Sequence, residues 1–166
     1  MMSICWVAIC FSFFMMVFFV KYLPADIYLV TIISGFAAFG YLLQDPISRR
    51  FDQRRTQLIS YTTVSLILVV VIIFEAIGVN SLLFALLILV LRLFLCLSFG
   101  TVFVIHFEYF DSRFIATSFA ICNVVSRIAA VGAPMVAEIE NRQIPLLILL
   151  ALNISAVAAT WFLRKK

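Results

Sequence analysis

Charged residues are scarce in this chain. Of its 166 residues, 12% are charged and only 8 are Asp or Glu, whereas 66% are hydrophobic and the mean hydropathy is +1.21. Soluble domains carry about 25% charged and roughly 45–50% apolar residues, so a soluble globular domain is excluded. Intrinsic disorder requires low hydrophobicity and is excluded as well. The 12 Lys and Arg residues are too few and too scattered for a nucleic-acid-binding stripe, despite the net charge of +4.

The few cysteines and the single histidine exclude further classes. The four cysteines all lie in apolar runs and form no Cys-x-x-Cys pair: Cys5, Cys10, Cys96 and Cys122. We expect packed thiols rather than a disulfide framework or a metal site. His106 is expected in an interfacial loop, where a pH-sensing role stays open. Glu108 is two residues away and does not face it on a helix. The sequence therefore predicts neither an enzyme nor a cofactor.

Hydropathy divides the chain into six apolar segments of about 18–24 residues, the length that crosses a hydrocarbon core of roughly 30 Å as a helix. They are residues 1–20, 27–44, 57–74, 82–105, 114–137 and 144–163. Because lipid leaves backbone groups without water, the pattern predicts an all-α polytopic membrane protein, with one transmembrane domain over residues 1–166. Residues 1–20 have no basic start or cleavage site and are interpreted as a span. Asp45-Pro46 is expected to end the second span.

The basic residues predict the orientation of these spans. Six spans place both termini on one side, together with the loops after spans two and four. That side holds most of the Lys and Arg residues: Arg49, Arg50, Arg54, Arg55, Arg113, Arg164, Lys165 and Lys166. The opposite side holds Lys21 and Arg142. The positive-inside rule therefore predicts cytosolic termini, or matrix-facing termini in an organelle, and Trp6 and Trp161 near span ends fit an aromatic belt.

Arg92 and Arg127 are the two cations inside predicted spans, and no Asp or Glu lies within any of these spans. Each is about 20 Å from the cytosolic end of its span, so adjacent antiparallel helices would bring both to one depth. Such charges cost at least roughly 2.5–3.5 kcal/mol and normally face protein or a wet cavity. One interpretation is an anion-binding cavity near mid-membrane. The alternatives are hydrogen bonds to broken-helix carbonyls and pairing with an acid of another chain.

Polar residues beside Arg127 extend this candidate site. Asn123 and Ser126 precede it on the same predicted helix, and Gly132-Ala133-Pro134 follows it. A helix interrupted by Gly and Pro, here with the break at Pro134, is typical of a transporter, although many packed membrane helices share the pattern. We expect Asn123 and Ser126 to be polar contacts of a ligand whose charge meets the two arginines.

Several motifs together resemble the last three spans of organic cation/anion transporters in the major facilitator superfamily. They are Arg92, Glu108-Tyr109-Phe110-Asp111-Ser112, Cys122, Ser126-Arg127-Ile128 and Ala133-Pro134. That family has an Arg in its tenth helix, a Glu-Leu-Tyr-Pro-Thr motif, and a charged residue seven positions before a Pro in its eleventh helix. The resemblance implies that the chain is the C-terminal six-helix half, helices seven to twelve. It also implies an organic anion or a carboxylate-bearing zwitterion as substrate, because such carriers tend to have Arg at the position of Arg127.

The resemblance also assigns roles on the cytosolic side. Arg54 and Arg55, after Gln53, are similar to the Gly-Arg-Arg of a cytosolic clasp, and Glu108 and Arg113 are similar to gating elements. The chain departs from the family pattern mainly in these elements, since Gln53 replaces a Gly and the Glu-Leu-Tyr-Pro-Thr motif lacks its Pro.

Two functions remain as predictions. One is transport of small organic ions by alternating access, which requires two six-helix bundles, so the chain is expected to pair with itself or with a separate half. The other is a non-transporting structural subunit of a larger membrane complex derived from such a transporter, motivated by the missing half and the altered motifs. A gene fragment without an independent role is a third possibility. The expected partners are the lipid bilayer, a small organic ion, and the second half or the larger complex, with no nucleic acid.

Overall fold

The computed structural model describes residues 1–22, 27–77 and 81–163, which consist of helices and short turns without a strand. They form seven α-helices: α1 Met2–Phe19, α2 Ile27–Phe36, α3 Phe39–Arg50, α4 Gln53–Ile77, α5 Ser81–Tyr109, α6 Ile115–Ala137 and α7 Gln143–Phe162. A 3-10 turn, Val20–Tyr22, continues α1. The predicted basic tail, residues 164–166, lies outside the described residues.

Among the described residues, five helical segments are long and apolar enough to cross a membrane: Met2–Tyr22, Gln53–Ile77, Leu82–Tyr109, Ile115–Ala137 and Gln143–Phe162. Their bounds lie within about one helical turn of the predicted spans. The prediction of an all-helical chain with several membrane-length helices is therefore confirmed for the described residues.

The second predicted span, residues 27–44, is not one helix. It is divided into α2 and α3 at Ala37 and Ala38, where turn hydrogen bonds replace helical ones. Ala38 N donates to Gly35 O at 3.2 Å, and Gly40 N donates to Ala37 O at 2.9 Å. Neither α2 nor α3 alone has the length of a membrane span, so a sixth crossing here stays a prediction.

Pro46 does not end its helix, contrary to expectation. α3 continues through Pro46 to Arg50. Proline removes one ladder hydrogen bond, and at this exposed position the loss does not stop the helix. The Ser48 hydroxyl donates to the Asp45 carbonyl at 3.1 Å and so bridges the same turn.

The predicted loops are shorter than expected. The four arginines of the basic loop belong to helices, two to the last turn of α3 and two to the first turn of α4, and only Phe51 and Asp52 lie between these helices. The polar stretch from His106 to Arg113 is also partly helical, since α5 continues to Tyr109. Arg113 is exposed in the turn before α6.

The centre of the bundle is α1, which contacts α5, α6 and α7. Its membrane-length window is 61% buried, compared with 22% for α6 at the edge. Although α5 and α6 follow one another in sequence, they touch only slightly, and α6 packs mainly on α1. The expectation that Arg92 and Arg127 lie on adjacent packed helices is therefore wrong, because the first helix of the chain takes the place beside α6.

The helix pairs show an internal regularity. Apart from slight contacts at connections, the described helices pack as α1 with α5, α6 and α7, as α5 with α2, α3 and α4, and as α4 with α7. Exchanging α1 with α5, α2/α3 with α6, and α4 with α7 leaves this set of pairs unchanged. The packing is thus that of two three-helix units, α1 to α4 with α2/α3 as one member, and α5 to α7.

Small side chains allow the two edge elements to approach the centre. Ser126, Ala130, Ala133 and Ala137 form a buried stripe on α6. Gly40 of α3 lies against the backbone of α5, where an added Cβ would overlap the carbonyl oxygen of Leu93. Because lipid provides no hydrophobic drive between helices, close backbone approach at small residues is what stabilises such contacts.

Buried hydrogen bonds add to this packing. Tyr61 Oη of α4 donates to the Cys5 carbonyl of α1 at 2.9 Å. Asn153 Nδ2 of α7 donates to Ser12 Oγ of α1 at 3.0 Å. The four cysteines are buried free thiols, as predicted.

Candidate functional site

Arg127 lies on the exposed side of α6, beside α1. Its guanidinium is 5.5 Å from the ring centroid of Phe14, and its Nε donates to Asn123 Oδ1 at 3.4 Å. A groove of about 350 Å³ between α6 and α1 includes Arg127, Phe14, Phe18 and Pro134 in its lining. The arginine therefore borders an open apolar groove rather than the bundle interior.

Arg92 lies on α5, on the stripe that continues through Cys96, Phe99 and Phe103 at spacings of four, three and four residues. Its side chain is half-buried, with Tyr41 of α3 and Cys96 as its polar neighbours. Among the described residues, its guanidinium takes part in neither of the two ion pairs. Arg92 is thus a cation at the junction of α5 and α3.

Aromatic rings connect the surroundings of the two arginines. Phe14, under Arg127, contacts Phe13 with centroids 5.7 Å apart. Phe13 contacts Phe99 of α5 at 5.4 Å, and Phe99 contacts Tyr41 of α3 at 6.4 Å. We call this series the arginine–aromatic surface; it consists of Arg127, Phe14, Phe13, Phe99, Tyr41 and Arg92.

The charges of the arginine–aromatic surface are not neutralised within the described part of the chain. The ion pairs in the described part of the chain join Lys21 to Glu138 at 3.2 Å and Arg49 to Asp45 at 2.8 Å, and neither includes Arg92 or Arg127. Guanidinium groups in an apolar setting bind carboxylates through charge-assisted, bidentate hydrogen bonds. Aromatic faces between them suit an apolar ligand body. Each arginine can therefore bind a carboxylate of an organic ion whose apolar part lies on the neighbouring rings.

The polar residues predicted beside Arg127 occupy different positions. Asn123 contacts the Arg127 side chain, as described above, and is half-buried. Ser126 is fully buried on the α1-facing stripe, and its hydroxyl donates to the Asn123 carbonyl at 2.8 Å. Ser126 is thus not accessible to a ligand in this structure. Pro134 does not break α6, which continues to Ala137; so near the C-terminal end, one missing hydrogen bond is tolerated.

The residues assigned to the cytosolic side lie at the end of the bundle where α4 begins and α7 ends. Arg54 Nε donates to the Thr160 carbonyl at 3.2 Å, and its Nη2 donates to the Trp161 carbonyl. Arg54 therefore caps the C-terminus of α7, a usual place for a basic side chain. Arg55 is exposed, and Glu108 is exposed in the last turn of α5.

The sequence interpretation missed a buried junction around His106. Its side chain is fully buried in α5 rather than exposed in a loop. The ring is stacked on Phe110 at 4.4 Å, and Nε2 is 3.0 Å from Ser118 Oγ of α6. Trp6, expected in the aromatic belt, is also fully buried here and contacts Phe103 at 4.6 Å. Extending the α5 periodicity beyond residue 105 would have placed His106 on the stripe of Phe99 and Phe103.

We expect the His106–Ser118 contact to be worth about 1 kcal/mol, the usual net value of a buried hydrogen bond. His106→Phe and Ser118→Ala should each lower the free energy of unfolding, and the double variant should cost about 1 kcal/mol less than the sum of the two. Titration with SDS in mixed micelles, followed by circular dichroism, measures the four proteins. Strict additivity would show that the two side chains do not interact in the folded protein.

These features define the class of protein: an all-helical, multi-pass membrane protein with two arginines on an aromatic surface that have no carboxylate partner among the described residues. Among the described residues, no group of three or more His, Cys, Asp or Glu side chains could hold a metal ion. No protein-family model matches the chain, and no curated protein matches it significantly.

Proposed function

We propose that the protein takes part in transmembrane transport of small organic ions, with an organic anion or a carboxylate-bearing zwitterion as substrate. The arginine–aromatic surface is the observation that carries this proposal. Arg92 and Arg127 would bind the acidic groups, Asn123 would orient Arg127, and the rings of Phe13, Phe14 and Phe99 would contact the apolar body of the substrate. The substrate crosses chemically unchanged, so the proposal includes no catalytic step.

The helix packing supports a relationship to the major facilitator superfamily. Each half of such a transporter contains two three-helix repeats of inverted topology. Two three-helix units with equivalent packing are the arrangement expected of one such half. Because each unit would cross the membrane an odd number of times, the second unit would start on the opposite side and have inverted topology. The proposal adds that α2 and α3 together cross the membrane as the second of six spans and that both termini face the cytosol.

A second bundle is part of this proposal. Alternating access requires two bundles that rock around a central site. In a single bundle, Arg127 would face lipid at a cost of at least roughly 2.5–3.5 kcal/mol. We therefore expect the arginine–aromatic surface to be covered by a second copy of the chain or by a separate six-helix half.

Uptake into liposomes tests the transport proposal. Three preparations are compared: the chain alone, two copies fused in tandem, and the chain isolated by mild extraction with its co-purifying chains. We expect saturable uptake of a labelled aromatic dicarboxylate in at least one preparation, and no uptake of an aromatic diamine of similar size. Absence of dicarboxylate uptake above that of protein-free liposomes in all three would exclude the proposal.

A structural subunit of a larger membrane complex is the alternative. The exposure of Arg127 without a carboxylate partner among the described residues favours it, because an acid on a neighbouring chain would neutralise the charge. Native mass spectrometry after mild extraction distinguishes the two. A stable complex with several other chains and no uptake favours the subunit, whereas a lone chain or a homodimer opposes it.

A further inference from the structure

A second groove lies outside the arginine–aromatic surface, where the first turn of α4 meets the last turn of α7. Its volume is about 430 Å³, and its lining consists of Asp52, Arg54, Arg55, Leu58 and Trp161. Basic, acidic and apolar side chains thus meet in one open site at the ends of two membrane-length helices.

The two arginines of this groove differ in what they can bind. Arg54 is committed to the carbonyls of Thr160 and Trp161, and its half-buried side chain fixes the start of α4 to the end of α7. Arg55 is exposed. The two ion pairs found within the described ranges do not include its guanidinium. Arg55 is therefore the cation that is available to an external anion.

The electrostatics favour an anion in spite of Asp52. The two arginines outweigh the single carboxylate, and the groove adjoins the N-terminus of α4, whose free backbone N–H groups attract negative charge. Thr56 N donates to the Asp52 carbonyl at 3.0 Å, so α4 begins directly at the groove.

The apolar part of the lining distinguishes a lipid from a soluble anion. Trp161 is 66% exposed, and Leu58 lies one turn into α4. Trp is enriched at the membrane interface, where headgroups and acyl chains meet, and basic pockets between helices at this level bind acidic headgroups. A soluble phosphate would leave this apolar surface uncovered, whereas a phospholipid covers it with its glycerol and upper acyl chain.

We propose that this groove binds the headgroup phosphate of an anionic phospholipid, with Arg55 as the phosphate contact, Arg54 as the residue that holds the groove together, and Trp161 and Leu58 against the lipid. The proposal concerns a site separate from transport, and its test requires no transported ion.

Trp161 provides the readout. The full chain is reconstituted into phosphatidylcholine bilayers that contain the same small fraction of brominated lipid, either phosphatidylglycerol or phosphatidylcholine, with bromine near the glycerol. Bromine quenches tryptophan fluorescence on contact, and Trp6, fully buried, contributes little. We expect quenching that corresponds to about fivefold enrichment of the anionic lipid, the fold-change given by one arginine near the surface.

Two variants and two competitors decide the outcome. Arg55→Gln should abolish the enrichment. Arg49→Gln removes the same charge from the same end of the bundle, outside the groove, and should retain the enrichment. Equal quenching by both lipids, or an equal effect of both variants, overturns the proposal. If inorganic phosphate at constant ionic strength displaces the brominated lipid as readily as a soluble short-chain phosphatidylglycerol does, the apolar lining adds nothing, the ligand is free phosphate and the lipid proposal is wrong.

Discussion

Gly40→Ala is expected to lower the free energy of unfolding by about 2–3 kcal/mol, because the added methyl group has no space between α3 and α5. It would overlap the Leu93 carbonyl oxygen and lie 3.0 Å from Cys96 Cβ and 3.1 Å from Leu97 N. Two of these three atoms belong to the α5 backbone, so the helices themselves must separate. Alanine otherwise favours a helix over glycine by roughly 0.5–1 kcal/mol, so the steric effect opposes the propensity.

Two other glycines provide matched controls. In the part of the chain that the structure describes, no neighbouring atom lies within 4 Å of a Cβ added at Gly35, and Gly35→Ala should be neutral or slightly stabilising. At Gly100 the nearest atom belongs to the flexible end of Gln44, so Gly100→Ala should have an intermediate effect. SDS titration in mixed micelles gives the order of stability of the three variants. If Gly40→Ala is as stable as Gly35→Ala, α3 is not seated on α5 as described.

The sequence predicts the positions of the long helices well because length and apolarity alone determine which segments can cross a membrane. Span five was predicted at 114–137 and is Ile115–Ala137, and span six was predicted at 144–163 and is Gln143–Phe162. Local rules predict less. The break at Ala37 and Ala38 falls on two good helix formers, so propensity gives no sign of it. At Pro46 the error is reversed: a residue expected to end a helix lies inside α3.

The order of the helices in space could not be predicted from the sequence. Short connections suggest that consecutive helices are neighbours, and for α4 and α5 they are. Between α5 and α6 this inference fails, since α6 packs on α1, which is the first helix in the chain. The burial of His106 has the same origin, because its partner Ser118 and the adjacent Trp6 belong to other helices. Such contacts depend on tertiary packing, which hydropathy does not encode.

The candidate site was predicted only in part. Arg92 and Arg127 stand out because a charge inside an apolar span is rare and costly. The rings between them carry no such signal, since the chain has 18 Phe and no single one is distinctive. Ser126 adjoins Arg127 in sequence, but one residue along a helix is a rotation of about 100°, which turns Ser126 toward α1.

Arg92→Gln and Arg127→Gln are each expected to weaken binding of an aromatic dicarboxylate by about 2 kcal/mol, or about thirtyfold, the value of a hydrogen bond to a charged group. Arg127→Lys keeps the charge but loses the bidentate geometry, so its affinity for the dicarboxylate should lie between those of wild type and Arg127→Gln. Equilibrium binding of the labelled ligand to the purified protein measures the effect. Arg49→Gln, about two helical turns beyond Tyr41 on α3 and outside the arginine–aromatic surface, is the control and should bind as wild type does.

Arg127→Gln should weaken ligand binding without lowering the stability of the protein, and this difference distinguishes a binding residue from a structural one. Within the described ranges, Arg127 has one hydrogen bond, to Asn123, one ring contact, to Phe14, and no ion pair. These contacts offset little of the cost of a charge in a membrane. Arg127→Gln should therefore resist SDS as well as or better than wild type while binding the ligand more weakly. A variant that loses binding and stability together would identify the arginine as a structural residue. A variant that gains stability without losing binding would remove the arginine–aromatic surface as the site of the substrate.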